Sequence, residues 1–529
     1  MARKKPVTLV ILDGWGEWSN PQGNPVPISN LPTIDKLNKY YPKTLLQASG
    51  MSVGLPWGIY GNSEVGHQTI GTGQIIYQFL PVITAAIENG KFFENETLLK
   101  AVAWTKEHNS SLHLMGMISN GAVHSHIDHL NALLEFASEQ KLENVYIHGI
   151  TDGRDTPPKA AIDFINKIQN RTEALGVGKI ASLIGRYFTM DRNKNWDRVE
   201  KGFRLMTEGE GTKETDPVAA IEKQYKENTT DEYIKPIVIT DSSGEPIGGI
   251  KDNDAVVFFN FRKDRARQIT QAFEQPNFDR FKESKKLNNV MFCCFSEYEK
   301  GLCSNIAFPS QEITTRLGQI FEENKLSQLR IAETEKFAHV TYFFNGGAEK
   351  PYKGEDRIPV LSKNVPSYAD VPEMSALEVT DKLIDVLKDK EKDYDFILVN
   401  YANPDMVGHT GDIGAAVTAL EITDKCLDRL ITTVIEQNGC LLITADHGNV
   451  EEMTNLRTGE RDTEHSTNPV PCWYITATNH RDEALEEIKN HPIEGMLVDL
   501  TPTILELMEI PKGPEMSGQS LLEILNVNR

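Results

Sequence analysis

The chain reads as an α/β protein built of two α/β domains, one of them discontinuous with the other inserted into it. Three observations carry that reading. The 529 residues exceed what one ordinary hydrophobic core organises. Short apolar runs alternate with longer helical patterns along the whole chain, as parallel-rich sheets require. Two chemically different groups of polar residues also follow those runs, and the chain leaves one group and later returns to it. Acids, histidines and a serine stand at Asp13 and Ser63 and again at Asp405, His409, Asp446, His447 and His465. Arginines and another acid lie between, at Arg154, Asp155, Arg186, Arg192, Arg262 and Arg265. The crossings fall near residues 78–90 and 305–315, around Pro81 and Pro309. The domains are then 1–80 with 312–529, and 81–311.

Eight segments predict strands: Val7–Leu12, Leu112–Ile118, Val145–Ile150, Ile180–Ile184, Ala255–Phe259, Val290–Phe295, Phe396–Tyr401 and Cys440–Thr444. Helical periodicity is clear over Ala376–Lys388 and Gly414–Gln437. In the latter, Val417, Leu420, Ile422, Leu427 and Leu430 recur at three- and four-residue steps. No internal repeat or low-complexity tract interrupts the pattern.

Composition narrows the function. About 39% apolar and 25% charged residues is a globular mix. A formal charge of −21 opposes general nucleic-acid binding and docking on anionic membranes. A small anionic substrate stays compatible with it, because a few arginines set the field of a cleft. Six cysteines without a CxxC predict reduced thiols. The apolar run behind the basic N-terminus is six residues long before Asp13 breaks it, so it predicts a buried strand and not a signal segment. The expected location is cytoplasmic.

The acid and histidine group has metal-ligand character. Asp405 and His409, four apart after a strand, share one side of a helical turn. Asp446 and His447 follow another strand; as adjacent residues they are expected to diverge and serve different ions. His465 sits on a loop pinned by Pro469 and Pro471, and Asp13 tips the first strand. A lone aspartate after a strand is usually a turn or capping residue, but this many at separate strand ends argue for ions. Mixed carboxylate and imidazole donors suit Mn²⁺ or Zn²⁺ better than Mg²⁺.

Ser63, in a Gly/Asn-rich turn ahead of Glu64 and Val65, reads either as a helix-capping serine or as a nucleophile. A serine hydroxyl is weak at neutral pH and no histidine base is evident nearby in sequence, so metal coordination would have to activate it. Each arginine alone reads as a surface ion pair. Recurrence after three strands points instead to a doubly anionic substrate, with Asp155 as its acid/base. HSHIDH resembles a metal motif but lacks accompanying acids or cysteines at ligand spacing. His124 is expected to hydrogen-bond substrate, with His126 and His129 packing or exposed. Lys336 reads either as a phosphate partner or as a solvated lysine.

The stretches VILDGWG, GNSEVGHQTIG, HSHIDH, GRDTPP, FFNFRKDRARQ, EKFAHVTYFFNGG, NYANPDMVGHTG, TADHGN and HSTNPVP occur in this order from end to end. Together the chain resembles the cofactor-independent phosphoglycerate mutases of the alkaline-phosphatase-like superfamily. That resemblance implies a discontinuous phosphatase-like metal domain and an inserted substrate-binding phosphotransferase domain. It also implies interconversion of 3- and 2-phosphoglycerate through phosphoserine, in glycolysis and gluconeogenesis, without 2,3-bisphosphoglycerate. Two divalent ions are implied, Mn²⁺ expected and Mg²⁺ the alternative. Asp405, His409 and His465 would hold one ion; Asp13, Ser63, Asp446 and His447 would hold the other. Ser63 would carry the phosphoryl group and Asp155 would move protons on glycerate, with Lys336 completing the catalytic set. His124, Arg154, Arg186, Arg192, Arg262, Arg265 and Lys336 would grip the substrate. The expected partner is a free phosphoglycerate, the expected state a monomer. Gln74 stands where the family typically has arginine, and Lys263 where it has proline. A metal-dependent phosphatase, with water as final acceptor, and an inactive metal-binding scaffold are the other classes weighed.

Overall fold

The computed structural model describes residues 5–281, 286–484 and 492–527. The chain divides into two compact units, residues 1–78 with 311–529, and residues 79–310.

Each unit is built on one eight-stranded sheet. In the discontinuous unit the strands run, edge to edge, Glu355–Val360, Gln328–Glu333, Phe396–Tyr401, Val7–Leu12, Cys440–Thr444, Val470–Thr476, Lys43–Gln47 and Ile493–Met496. Val7–Leu12 is fully buried and pairs in parallel with Phe396–Tyr401 on one side and Cys440–Thr444 on the other. A central strand covered on both faces is apolar at nearly every position, which is why VTLVIL, with Thr8 its one polar residue, shows no alternation. Val470–Thr476 is antiparallel to both its neighbours. The chain between Thr444 and Val470 contains no crossover helix, so it re-enters the sheet from the same end and must run backwards.

Helices Ala376–Lys388 and Ile413–Glu436 pack against this sheet. The Asp412 side chain caps the second, accepting from Ala415 N at 3.0 Å. Its buried face is Ala416, Ala419, Leu420, Thr423, Leu427 and Leu430; Val417 and Ile422 lie at its margins. Small alanines there permit the close approach that the apolar spacing alone does not reveal.

In the inserted unit the order is Asn305–Ile306, Met291–Cys294, Ala255–Phe258, Leu112–Met117, Val145–Thr151, Lys179–Gly185, Ile237–Ile239 and Thr212–Glu214. Leu112 and Leu114 face one apolar layer with Leu130, Phe136 and Ile165. Met115 and Met117 face the other with Phe203, Met206 and Ile269. Pro81 lies in the first turn of helix Phe79–Glu88, where a missing N–H costs no helical bond. Gln74 is buried and donates to Thr315 O at 3.4 Å, and Lys263 reaches Ser310 Oγ at 3.4 Å.

A polar chain threads this second core. Ser182 Oγ lies 2.8 Å from His148 Nδ1, His148 Nε2 lies 2.9 Å from His113 Nδ1, and His113 Nε2 lies 3.1 Å from Asp254 Oδ2. Every ring nitrogen of the two histidines has a partner. Burial, reinforced by His113, holds the His148 pKa well below 6.5. Burial likewise depresses His124 to about 4 and His129 to about 3. Such groups contribute stability that is whole above the unfolded value of 6.5 and is lost as pH falls beneath it. The melting temperature is therefore expected to decline as pH is lowered from 6.5 towards 4, with a shallower decline in His148→Gln. Equal slopes in a calorimetric pH series would exclude the histidine chain as the cause.

All six cysteines are buried. Among the described residues, no helix is long and apolar enough to cross a membrane.

Candidate active site

Four adjacent parallel strands in the discontinuous unit deliver one cluster at their carboxyl ends, where ligands bind in open α/β sheets. Asp13 follows Val7–Leu12, Asp405 lies in the short helix after Phe396–Tyr401, Asp446 and His447 follow Cys440–Thr444, and Lys336 follows Gln328–Glu333. Gly14, at φ +71°, lets these loops close up: a Cβ there would lie 2.7 Å from Asp405 Cβ.

Ser63 is the first residue of helix Ser63–Thr72, and the cap is Asn62, whose side chain accepts from Val65 N at 3.1 Å. Its hydroxyl is thus released from capping. Ser63 Oγ lies 2.7 Å from Lys336 Nζ, 3.0 Å from His447 Nε2 and 3.1 Å from Asp13 Oδ1. The histidine that sequence distance conceals arrives from 384 residues away. Lys336 is buried and not solvated. Its ammonium bridges Asp13 Oδ1 and Asp405 Oδ2, each at 2.6 Å. Burial opposes its charge, but Asp13, Asp405 and Asp446 outweigh that and raise its pKa.

Asp405, His409 and His465 converge. His409 Nε2 and His465 Nε2 are 3.1 Å apart, and each lies 3.3 Å from Asp405 Oδ1. Asp13, Asp446 and His447 form a second, fully buried group. Asp446 and His447 do not diverge; Asp446 Oδ2 and His447 Nε2 lie 3.8 Å apart. The strand ends at Thr444, so strand alternation no longer governs residues two and three positions later.

The donor set fits divalent cations. Atoms bound about 2.1 Å from one ion lie roughly 3–3.5 Å from one another, as do those of the Asp405 group. Each Nδ1 of His409, His465 and His447 faces a backbone carbonyl, of Thr463 (2.8 Å), Gly61 (2.8 Å) and Gly448 (3.3 Å), so Nε2 is the ring nitrogen available to an ion. His67 Nδ1 donates to Ser63 O at 2.9 Å, and Asp446 Oδ2 is left buried without a donor despite lying 3.0 Å from that nitrogen. Burial opposes charge on His447, yet the surplus carboxylates of Asp446, Asp405 and Asp13 hold its pKa at about 9.

Sequence reasoning passed over three supports of this cluster. Asn400 Nδ2 donates to Asp13 Oδ2 at 2.6 Å, Asn449 Nδ2 donates to Asp405 Oδ1 at 2.8 Å, and His67 backs Ser63. The usable signals were the i, i+4 spacing of Ser63 and His67 and the asparagine inside TADHGN.

The inserted unit gathers the second group at the carboxyl ends of its own strands. Arg186, 3% exposed, gives NH1 to Asp155 Oδ2 and Asp152 Oδ1, each at 2.5 Å. Arg192 and Arg262 share Asp264, at 2.9 and 3.1 Å. Arg154 pairs with Glu232 at 2.7 Å, and Arg265 donates to Met190 O at 3.0 Å. Burial and the surrounding Arg186, Arg192 and Arg154 depress the Arg265 pKa. His124 is buried with Nδ1 unpartnered, 3.9 Å from Asp264 Oδ1. His126 caps helix Ile127–Glu139, and His129 packs between Phe261 and Phe295. Asp152, Glu232 and Asp264, the acids that aim these arginines, were not singled out from sequence.

A family model described as the BPG-independent PGAM N-terminus matches residues 83–300. The 2,3-bisphosphoglycerate-independent phosphoglycerate mutase of Clostridium perfringens (strain 13 / Type A) is 50% identical over 98% of this chain and 99% of its own. That of Acetivibrio thermocellus is 46% identical over 98% and 99%. Among solved structures, Leishmania mexicana phosphoglycerate mutase at low cobalt concentration is 29% identical, with a TM-score of 0.58 over 98% of this chain and 97% of that one. With half its residues shared across nearly the whole length, the chain belongs to the 2,3-bisphosphoglycerate-independent phosphoglycerate mutases, metal-dependent isomerases that interconvert 3- and 2-phosphoglycerate in glycolysis through a phosphoserine intermediate.

Proposed function

We propose that Ser63 is the residue that carries the phosphoryl group and that Asp155 moves protons on the glycerate hydroxyls. The observation that carries this reading is the placement of Ser63 Oγ within 3.1 Å of Lys336, His447 and Asp13. Asp405, His409 and His465 would hold one divalent ion, and Asp13, Ser63, Asp446 and His447 a second, Mn²⁺ being favoured by the mixed imidazole and carboxylate donors. Bound there, the ions supply Lewis acidity that lowers the hydroxyl pKa and offsets phosphoryl charge.

The chain's own groups do the rest. The Lys336 ammonium donates to Ser63 Oγ and favours its alkoxide. The position of Ser63 at a helix N-terminus also favours a phosphate dianion. Arg154, Arg186, Arg192, Arg262 and Arg265, with His124, bind the carboxylate and phosphate of the substrate. Asp155, held by Arg186, takes the proton from one glycerate hydroxyl and returns it to the other as the phosphoryl group changes position. Six buried cysteines without a CxxC support a cytoplasmic enzyme, and a separate sheet and core in each unit support a monomer acting on free phosphoglycerate.

Acid quenching during turnover of 3-phosphoglycerate, followed by peptide mass spectrometry, is expected to place one phosphoryl group on Ser63. A phosphoryl group elsewhere would refute the assignment. Asp155→Asn is expected to lose roughly 10²–10⁴-fold in kcat, with phosphoserine formation slowed as well because the departing glycerate oxygen needs the same proton. Turnover within about threefold of wild type would move Asp155 out of the proton-transfer role.

A further inference from the structure

Glu451 belongs to no ligand set described above, yet it is fully buried beside three of the loops that carry them. Its Oε2 accepts from Gly16 N (2.8 Å) and Asn449 N (2.9 Å). Its Oε1 accepts from Ser466 Oγ and from Asn468 Nδ2 (3.0 Å). Four donors fill the acceptor sites of one carboxylate. They come from the loop after Asp13, the loop after Asp446 and His447, and the loop carrying His465.

Two glycines make room for it. A Cβ on Gly16 would stand 2.3 Å from the Glu451 carboxyl carbon, and one on Gly448 would stand 2.4 Å from Oε1. Backbone bonds from Val450 N to Gly14 O (3.0 Å) and Ser466 N to Gly448 O (2.9 Å) run alongside. Asn449, whose N–H Glu451 fixes, in turn donates to Asp405 Oδ1 at 2.8 Å. One carboxylate is thereby joined directly to the loops of Asp13, Asp446, His447 and His465, and through Asn449 to Asp405.

We infer that Glu451 is a positioning residue for metal binding: it ties the Asp13, Asp446–His447 and His465 loops into one arrangement without ligating an ion itself. This rests on the metal assignment above. Partners of ligating groups that are not themselves ligands commonly set affinity by about 10- to 100-fold. The glutamine isostere has a defined outcome. Two backbone N–H groups on the Oε2 side cannot reverse, so the glutamine keeps its oxygen there, and the Ser466 hydroxyl can turn to accept from its NH₂; the Asn468 amide, which also donates to Glu452 Oε2 at 3.1 Å, gives up its contact. Glu451→Gln therefore keeps three of the four contacts that hold the loops together, and Glu451→Ala removes them all.

The test is calorimetric titration of metal-free protein with Mn²⁺ alone, alongside melting of the same metal-free samples. Wild type and Glu451→Gln are expected to agree within about threefold, with Glu451→Ala weaker by about 10- to 100-fold. Raising Mn²⁺ is also expected to restore the turnover of Glu451→Ala. If Glu451→Ala does not fold, Glu451→Asp replaces it; one methylene shorter, it withdraws the carboxylate from Gly16 and Asn449, with a similar loss expected. A lowered melting temperature with wild-type Mn²⁺ affinity in these variants would overturn the inference and leave the metal assignment standing. Metal-free wild type that takes up no Mn²⁺ would overturn both.

Discussion

Ser63→Ala is expected to abolish mutase turnover, by on the order of 10⁴-fold or more, while the protein still binds metal and melts near the wild-type temperature. The size follows from the covalent role: without the hydroxyl no phosphoserine forms, and the arginines and Lys336 are left to bind a substrate they cannot rearrange. The small effect on folding follows from the local structure. Asn62, not Ser63, caps the helix, so removal of the hydroxyl strands no backbone donor. It does remove one contact each for Lys336 and Asp13, which keep each other at 2.6 Å. Measuring 2-phosphoglycerate formation, metal content and melting on one preparation separates these effects. Residual turnover within a hundredfold of wild type would eliminate Ser63 as the carrier.

Lys336→Met carries the second large effect, and it falls on both stability and rate. Among the described residues, Lys336 is the one lysine that contacts the buried Asp13 and Asp405. Removing one partner of a buried ion pair leaves uncompensated charge and costs about 3–5 kcal/mol. The metal-free variant is therefore expected to melt well below wild type. Added Mn²⁺ should recover much of the difference, since cations bind the native carboxylates in preference to the unfolded chain. Loss of the donor to Ser63 Oγ is expected to lower kcat by about 10²–10³-fold, the range for one preorganised charge-stabilising group. Unchanged melting in chelator would show that the ammonium does not hold these carboxylates.

Much of the fold was legible because its central strands are unusual in composition. VTLVIL, FILVNY and CLLIT read as strands without help from neighbours, since strands buried on both faces are near-continuous apolar runs. Gln328–Glu333 did not, because it buries Gln328, Arg330 and Glu333. Arg330 is tolerated there by stacking 4.8 Å from the Phe344 ring and 5.1 Å from that of Phe396, an arrangement made only in three dimensions. The antiparallel course of Val470–Thr476 was equally hidden, since sequence spacing records that a strand returns but not the edge it enters from.

The chain's amino-acid order determined the chemistry on offer: acids and histidines after one set of apolar runs, arginines after another, and a serine at a helix start. Residue type and local periodicity fix these, and both are written in neighbouring positions. Tertiary structure decided which of those groups meet. It set His447 beside Ser63, sank Lys336 between two aspartates, and aimed the arginines with Asp152, Glu232 and Asp264. Those decisions come from parallel strand order, which places the ends of segments hundreds of residues apart within hydrogen-bond distance, and hydrogen bonds act only at that range.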